Sequence, residues 1–557
     1  MSNTGDLVSR VYSSFRGVDF RGEEINLVRS PDSLNVWRDY KETASIRTRP
    51  SMVLQEAFDA PVYGVFFYKD KMLVHSGTSL YSVTDDARTV LYTGLNEAAS
   101  DSFVYEEIWY FKDGLHYLKY DGATIGDVVG YVPTTSIARK PAGGGTIYED
   151  VNMLTGKRIN SFLADGESTE FVLDAQDIDT DYAPIVKIND AVVTDYTVDY
   201  AAGKIAFKTA PEVPLTDGQD NVTVEFCKTI SGYADRILKC TLLQVFDNRV
   251  FFSGNRDYPN VVYHCSLNDP AYCSDLDYYN EGLDSAQING LVAGNNALWV
   301  FREPSQANTT VFYHTPTIDS EYGKIYPSQH SSITTGCIGK AANFNDDIIF
   351  FSDRGMEGIS GDITTEQAVA HRSSLVDRKL IAEADYTKMV LAEWEGYLFV
   401  FIGNKAYLAD SRAMLTNENH YEYEWFYWDL GANVTCARVE SGVLYLGTAD
   451  GVYTLTGTED VESYWVTPKD KFTTPHKLKT TNKRGCVAEA TGDISVYAKL
   501  EDTDFELIGT YNNVKDYFVS RIKRKKWKDI QLKFHSTTRF SLETVTLEAF
   551  IGGYIKR

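Results

Sequence analysis

Short apolar runs alternate with tight polar turns along most of this chain, and the runs come in pairs. Val62-Tyr-Gly-Val-Phe-Phe-Tyr68 leads through Lys69-Asp70 into a second strand that ends the unit near Val83. The same form recurs from Phe103 with a turn at Glu106-Glu107 and from Leu242 with a turn at Asp247-Asn248. It appears again from Leu291 with Asn295-Asn296, and from Asn343 with a turn near Asn345. The last two copies start at Leu391, turning at Glu395-Gly396, and at Ala437, turning at Ser441-Gly442. Polar pairs between aromatic and β-branched strands are hairpin signals.

Spacing organises the copies. The first two turns, at 69 and 106, are 37 residues apart, and those at 247, 295, 345, 395 and 441 are separated by 48, 50, 50 and 46. A four-stranded propeller blade takes roughly 40–50 residues. The exception is the 141-residue gap from 106 to 247, which returns to about blade length if a module is inserted there. One such sheet has two apolar faces and cannot bury both alone, whereas a ring of them can. The pattern therefore predicts an all-β fold: a seven-bladed β-propeller with an inserted small β-sandwich and a C-terminal β-domain. Two stacked β-sandwiches with chance periodicity are the competing arrangement. The segments are an N-terminal arm at 1–50, propeller at 51–135, inserted sandwich at 136–231, propeller again at 232–457 and the C-terminal domain at 458–557.

Within the insertion, Phe171-Val-Leu, Val186-Lys-Ile, Tyr196-Thr-Val-Asp-Tyr200, Lys204-Ile-Ala-Phe207 and Val222-Thr-Val-Glu-Phe226 alternate between turn residues. They predict a small antiparallel sandwich. Residues 366–385 carry the best helical periodicity. After Gly457, Ile494-Ser-Val-Tyr-Ala498, Ile530-Gln-Leu-Lys-Phe534 and Val545-Thr-Leu-Glu-Ala-Phe550 read as strands again. Residues 1–50 show no core of their own and read as an arm lying on the ring or on a neighbour.

Composition adds partners to this picture. The 557 residues exceed one ordinary core, and 37 Tyr with 28 Phe suit half-buried strands. Net charge is −24, which disfavours a general phosphate-neutralising nucleic-acid binder. The charge is uneven. Residues 461–557 hold 18 Lys/Arg and 12 Asp/Glu, a net of +6, so residues 1–460 carry 36 minus 66, or −30. A basic tail on an acidic body points to contact with something acidic, another copy of the same body being one candidate. Seven cysteines, with no C-x-x-C pair, read as small buried thiols of a reducing compartment, with disulfides the other option. No leader peptide is visible, and no apolar run is long enough to span a membrane.

Motifs for chemistry are sparse. There is no G-x-S-x-G, H-E-x-x-H or Walker-type loop, and the nine histidines have no ligand spacing. Asp174, Asp177, Asp179 and Asp181 alternate as calcium ligands do, but Tyr182 and Ile188 stand where such a loop needs Gly and Glu, so a solvated loop is expected. Asp346, Asp347, Asp353, Glu357 and Glu395 lie near turns and offer a chance carboxyl pair of the glycosidase type. Ser352-Asp-Arg-Gly355 vaguely resembles a sialidase Asp-box, without its aromatic end. The reading is of a protein that is not an enzyme, with no catalytic, cofactor-binding or metal residues and no cofactor. The strongest charge feature is Arg521, Lys523, Arg524, Lys525, Lys526 and Lys528 around Ile522 and Trp527. It is either the solvated face of a hairpin with Ile522 and Trp527 inward, or a docking surface for an acidic neighbour; DNA phosphates fit it poorly.

Several stretches also resemble a known family. Phe15-Arg-Gly-Val-Asp-Phe-Arg-Gly22, Ser30-Pro-Asp-Ser-Leu-Asn-Val-Trp37 and Ser45-Ile-Arg-Thr-Arg-Pro50 are similar to the start of phage virion proteins of the packaged-DNA stabilisation and tail-hub type. Phe252-Ser-Gly-Asn-Arg-Asp-Tyr-Pro-Asn-Val-Val-Tyr263 with Asp269-Pro-Ala-Tyr272 resembles a blade segment of that group. The inserted Asp165–Phe171 and Asp195–Tyr200 stretches, and the ending Phe540–Glu548 with Gly552-Gly553, are similar to its modules too. The resemblance implies a structural virion protein, a tail hub or nozzle at the head–tail connection. Such a protein is made in the host cytoplasm and forms a ring, a homohexamer being favoured, that extends the DNA-exit channel. Its partners would be portal and adaptor rings and other tail proteins, with DNA passing through during ejection without specific binding. An acidic wall fits that passage, since it repels phosphate within a screening length of roughly 8 Å. The alternative is a carbohydrate-binding or glycan-hydrolysing propeller acting on the host surface.

Overall fold

The computed structural model describes residues 6–39, 45–84, 87–305, 309–320, 323–360, 363, 368–383, 385–417, 420–523 and 526–554. The chain is all-β, and it divides into two compact units. One comprises residues 1–90, 309–311 and 331–557, the other residues 91–308 and 312–330.

Among the described residues, seven sheets have four strands each. We number them I to VII by their turns. Each of the seven polar pairs named above joins the first two strands of one sheet, and the backbone there is left-handed. Glu106 and Glu107 sit at φ 45° and 63°, Asp247 and Asn248 at 51° and 58°, Asn295 and Asn296 at 52° and 59°, Asn345 and Asp346 at 52° and 65°. Glu395-Gly396 and Ser441-Gly442 follow suit, as does Lys69. Two successive positive φ values give the turn whose twist matches paired strands, and Asn, Asp and Gly tolerate it best. Glu at 106 and 107 costs more, about 1–2 kcal/mol per residue.

Sheet VII is discontinuous in sequence. Its strands Cys436–Glu440, Val443–Gly447 and Gly451–Gly457 are completed by Ser51–Ala57, antiparallel to Gly451–Gly457. First strands of several sheets lie side by side. Asp101–Tyr105 neighbours the Leu242–Phe246 strand, which neighbours Ile288–Gly294; Val390–Trp394 neighbours Cys436–Glu440, which neighbours Val62–Tyr68. Apolar cores fill the spaces between such neighbours. Phe251, Val262, Leu298 and Val300 pack between sheets III and IV, and Phe351, Met356, Val400 and Trp425 between V and VI.

The strands from Thr134–Arg139 to Val222–Cys227 form two further sheets, of six and three strands, around Phe162, Phe171, Val186, Phe207, Val224 and Phe226. One feature departs from the antiparallel expectation: Thr134–Arg139 runs parallel to Lys157–Phe162. The intervening stretch carries the chain back before the second strand starts, which a hairpin turn cannot do. The helix expected over 366–385 is also corrected. Val369–His371 is the fourth strand of sheet V, only Asp377–Leu380 is α-helical, and residues 364–367 and 384 lie outside the described residues. Pairing with Gly355–Ile359 outweighs the weak apolar stripe.

Strands from both ends of the chain build a ten-stranded sheet. The spine is Lys477–Leu500, paired along most of its length with Phe540–Tyr554. Asp6–Tyr12 pairs with Phe540–Tyr554, Ile46–Thr48 with Ser541 and Leu542, and Ser33–Leu34 with Ser463–Val466. The first fifty residues are thus woven into the last hundred. Their side chains also grip sheet VI. Arg29 donates two hydrogen bonds to Glu424, at 2.8 and 2.9 Å, both side chains buried. Asn35 accepts from Asp429 N–H at 2.8 Å and from Arg49 Nε at 3.0 Å. Trp37 stacks on Trp394 and meets Trp428 edge-on. Gly17, at φ 136°, lies so close that a Cβ would stand 2.0 Å from the Trp425 carbonyl oxygen.

Candidate functional site: an open seam in the C-terminal sheet

The basic cluster sits where this sheet fails to close. The strand Glu506–Val514 pairs with Lys477–Leu500 on one side, Ala498 opposite Glu506 and Gly492 opposite Val514. It pairs with no other strand among the described residues. Tyr517–Ser520 continues along Cys486 to Glu489, and the chain then crosses to a bridge between Trp527 and Lys479. Ile522 and Trp527 are buried here, and Arg521, Lys523, Lys526 and Lys528 are exposed. Arg524 and Lys525 lie outside the described residues.

Trp527 is the anchor. Its indole N–H donates to Thr481 Oγ1 at 3.1 Å and its ring meets Phe472 edge-on, while its backbone exchanges hydrogen bonds with Lys479 at 2.8 and 3.0 Å. Beside it, between the crossing and the Glu506–Val514 edge, opens a cavity of about 280 Å³. Leu500, Leu507, Ile508, Ile522 and Trp527 make its apolar wall, and Arg521, Lys523 and Lys526 its cationic rim. Leu507 is 56% exposed there.

The rim differs electrically from its surroundings. Nearby, Lys469 bonds Asp502 at 2.8 Å and approaches Glu23 and Asp529, Lys499 bonds Glu23 at 2.8 Å, and Lys471 meets Glu24. Arg10 and Tyr12 both hold Asp470, at 2.9 Å. Arg521, Lys523 and Lys526 form no ion pair among the described residues. Glu501, which also faces the cavity, accepts the Lys528 backbone N–H. The cavity thus sets three cations and two carboxylates, Glu501 and Glu506, beside an apolar wall, an excess of one positive charge.

A second, more open cavity of about 440 Å³ lies in sheet V, lined by Thr335, Arg354, Glu357, His371 and Asp377. His371 is held between carboxylates, Nδ1 at 3.2 Å from Glu357 and Nε2 at 2.6 Å from Asp377, which also accepts the Ser373 hydroxyl at 2.6 Å. Burial lowers the imidazole pKa, but the hydrogen bonds and charges of Asp377 and Glu357 outweigh it and hold the group up at about 10. Of the carboxylates considered for glycosidase chemistry, Glu357 is thus engaged with His371, and Asp347 is buried against Arg372 and Tyr423, at 2.9 and 2.7 Å. Asp346 and Glu395 occupy the turns, and Asp353 is exposed. In the aspartate run of the insertion, Asp174, Asp177 and Asp181 are exposed, as a solvated loop requires, while Asp174 accepts from Thr135 at 2.6 Å and Asp179 from the Thr229 N–H at 2.9 Å. No group of three ligating side chains at metal geometry occurs among the described residues. The seven cysteines are free thiols, five of them buried. No described helix is long and apolar enough to cross a membrane.

No family model matches the sequence, and no curated protein matches it. Solved structures that align include the computationally designed Ika8 protein, at 12% identity and TM-score 0.32, covering 73% of this chain and 98% of that one. BamB from Moraxella catarrhalis aligns at 11% identity and TM-score 0.34 over 73% of this chain and 96% of its own. Hsv2 from Kluyveromyces lactis aligns at 8% identity and TM-score 0.25 over 67% and 99%.

Proposed function

We propose that the chain is a structural protein of a phage tail, a hub or nozzle component. In this reading its seven four-stranded sheets close into a seven-bladed propeller, with a sandwich inserted at 136–231 and a C-terminal domain at 458–557. Copies assemble into a ring, a hexamer being favoured, that continues the DNA-exit channel and anchors other tail proteins. The observation that carries the reading is the seam. In a chain of net charge −24, its rim carries three cations without an ion pair among the described residues against two carboxylates, over an apolar wall, and that local positive excess suits an assembly surface for acidic protein. The resemblance of the N-terminal arm, blade segment, insertion and ending to tail-hub proteins supports the same role. The excess acid of residues 1–460 suits a wall that DNA passes without being gripped.

Mass photometry of the purified chain, alone and with a portal–adaptor assembly, tests this. A ring, or a stable complex with the assembly, is the expected result. A chain that stays monomeric and joins no such assembly, or that cleaves a host polysaccharide, overturns it.

A further inference from the structure

The unit formed by residues 91–308 and 312–330 carries an acidic counterpart to the seam. In sheet III, Tyr278–Asn280 is the outermost strand, paired only with Val261–His264 among the described strands. Just before it, Asp275-Leu276-Asp277 presents Leu276 at 68% exposure between two carboxylates, with Tyr278 at 41% beside it. Asp150 joins them: its carboxylate lies 3.4 Å from the Ser274 hydroxyl, and the Asp275 N–H donates to the Val151 carbonyl. Burial, with the charges of Asp150 and Asp275, holds Asp277 up at about 6 against the pull of Arg249. Burial and Asp150 raise Asp275 likewise, despite a hydrogen bond from Tyr233. An exposed leucine among crowded carboxylates at a free sheet edge matches an apolar cleft rimmed by unpaired cations at another free edge.

We propose that the Asp275-Leu276-Asp277 edge of one copy docks in the Arg521–Trp527 seam of the next. Leu276 enters the apolar cavity against Trp527 and Ile522, and the carboxylates meet Arg521, Lys523 and Lys526. The two surfaces differ, so the contact is head-to-tail, the kind that closes a ring when the rotation between copies permits. Its electrostatic part weakens as salt rises. The inference rests on the self-assembly in the proposed function and names the surfaces that perform it.

Two charge reversals test it in the full-length chain by sedimentation velocity. Arg521→Glu with Lys523→Glu and Lys526→Glu makes the seam acidic; Asp150→Lys with Asp275→Lys makes the edge basic. Each variant alone should lose at least about tenfold in self-association. An equimolar mixture of the two should recover it, because reversed seams then meet reversed edges. Leu276→Ser, which removes an exposed apolar side chain without adding charge, should weaken association by a similar factor. Wild-type assembly that neither reversal nor Leu276→Ser weakens overturns the inference and leaves the ring reading standing, and so does a mixture that fails to recover. A wild-type chain that neither self-associates nor joins a portal–adaptor assembly removes the ring reading itself.

Discussion

At the N-terminal arm the cations are met by acceptors. Arg29 is forked onto Glu424, Arg49 onto Asn35 and the Asp429 carbonyl, and Arg10 onto Asp470. At the seam, in the same unit, Arg521, Lys523 and Lys526 reach solvent instead. The contrast separates two uses of charge. A buried guanidinium needs its partner because water is gone, so the pair fixes which strands meet. An exposed lysine needs none and adds little to stability, so a cluster of them is free to serve a surface.

Breaking the first region should be the costliest change. Glu424→Gln takes the forked carboxylate from buried Arg29 and leaves it, among the described residues, only Asp19, at 4.0 Å, so equilibrium unfolding should show a loss of about 3 kcal/mol, the low end for a broken buried pair. A loss below about 1 kcal/mol would mean that the arm is held by its strand pairing alone. A smaller effect is expected at His371, where pairing is also close but the cavity is open. Its folded pKa, about 10, lies above the ordinary histidine value near 6.5. The folded state therefore binds the extra proton, and the stabilisation is complete below pH 6.5 and lost as pH rises through 10. The full shift would be worth about 5 kcal/mol; water in the open cavity screens the pair, so unfolding free energy from urea titrations should fall by on the order of 2 kcal/mol between those limits, and His371→Gln should flatten the slope. Smallest of all, the triple seam reversal should leave monomer stability within about 0.5 kcal/mol by thermal unfolding. A larger loss would make the cluster part of the fold and erase the contrast.

Local signals made much of this architecture legible, and long-range ones did not. Pairs such as Asp247-Asn248 and Asn295-Asn296 mark turns because their own backbone must go left-handed, which neighbours in sequence suffice to require. Ile522 and Trp527, the apolar residues in a run of cations, are buried as one reading of that run expected, because apolar side chains leave water. In contrast, nothing near Asp6–Tyr12 announces Phe540–Tyr554 as its partner, and nothing near Ser51–Ala57 announces Gly451–Gly457. A strand's pattern reports which face is buried and is silent on who lies beside it. The helix expected over 366–385 failed for a related reason, since Val369–His371 gains more from the edge of sheet V than from a weak apolar stripe. The cavity beside Trp527 was out of reach as well, because its walls come from segments either side of a turn and a crossing.

The mixed origin of sheet VII sets a timetable for biosynthesis. Ser51–Ala57 leaves the ribosome long before Val443–Gly447 and Gly451–Gly457 exist. At about 5–20 residues per second the wait is roughly 20–80 s. Throughout it, a bare strand edge is open to whatever nascent chain passes by, and only the synthesis of residues 443–457 retires that hazard. A chain ending before residue 443 would keep that edge permanently unsatisfied, so premature termination should yield aggregates in place of smaller soluble products.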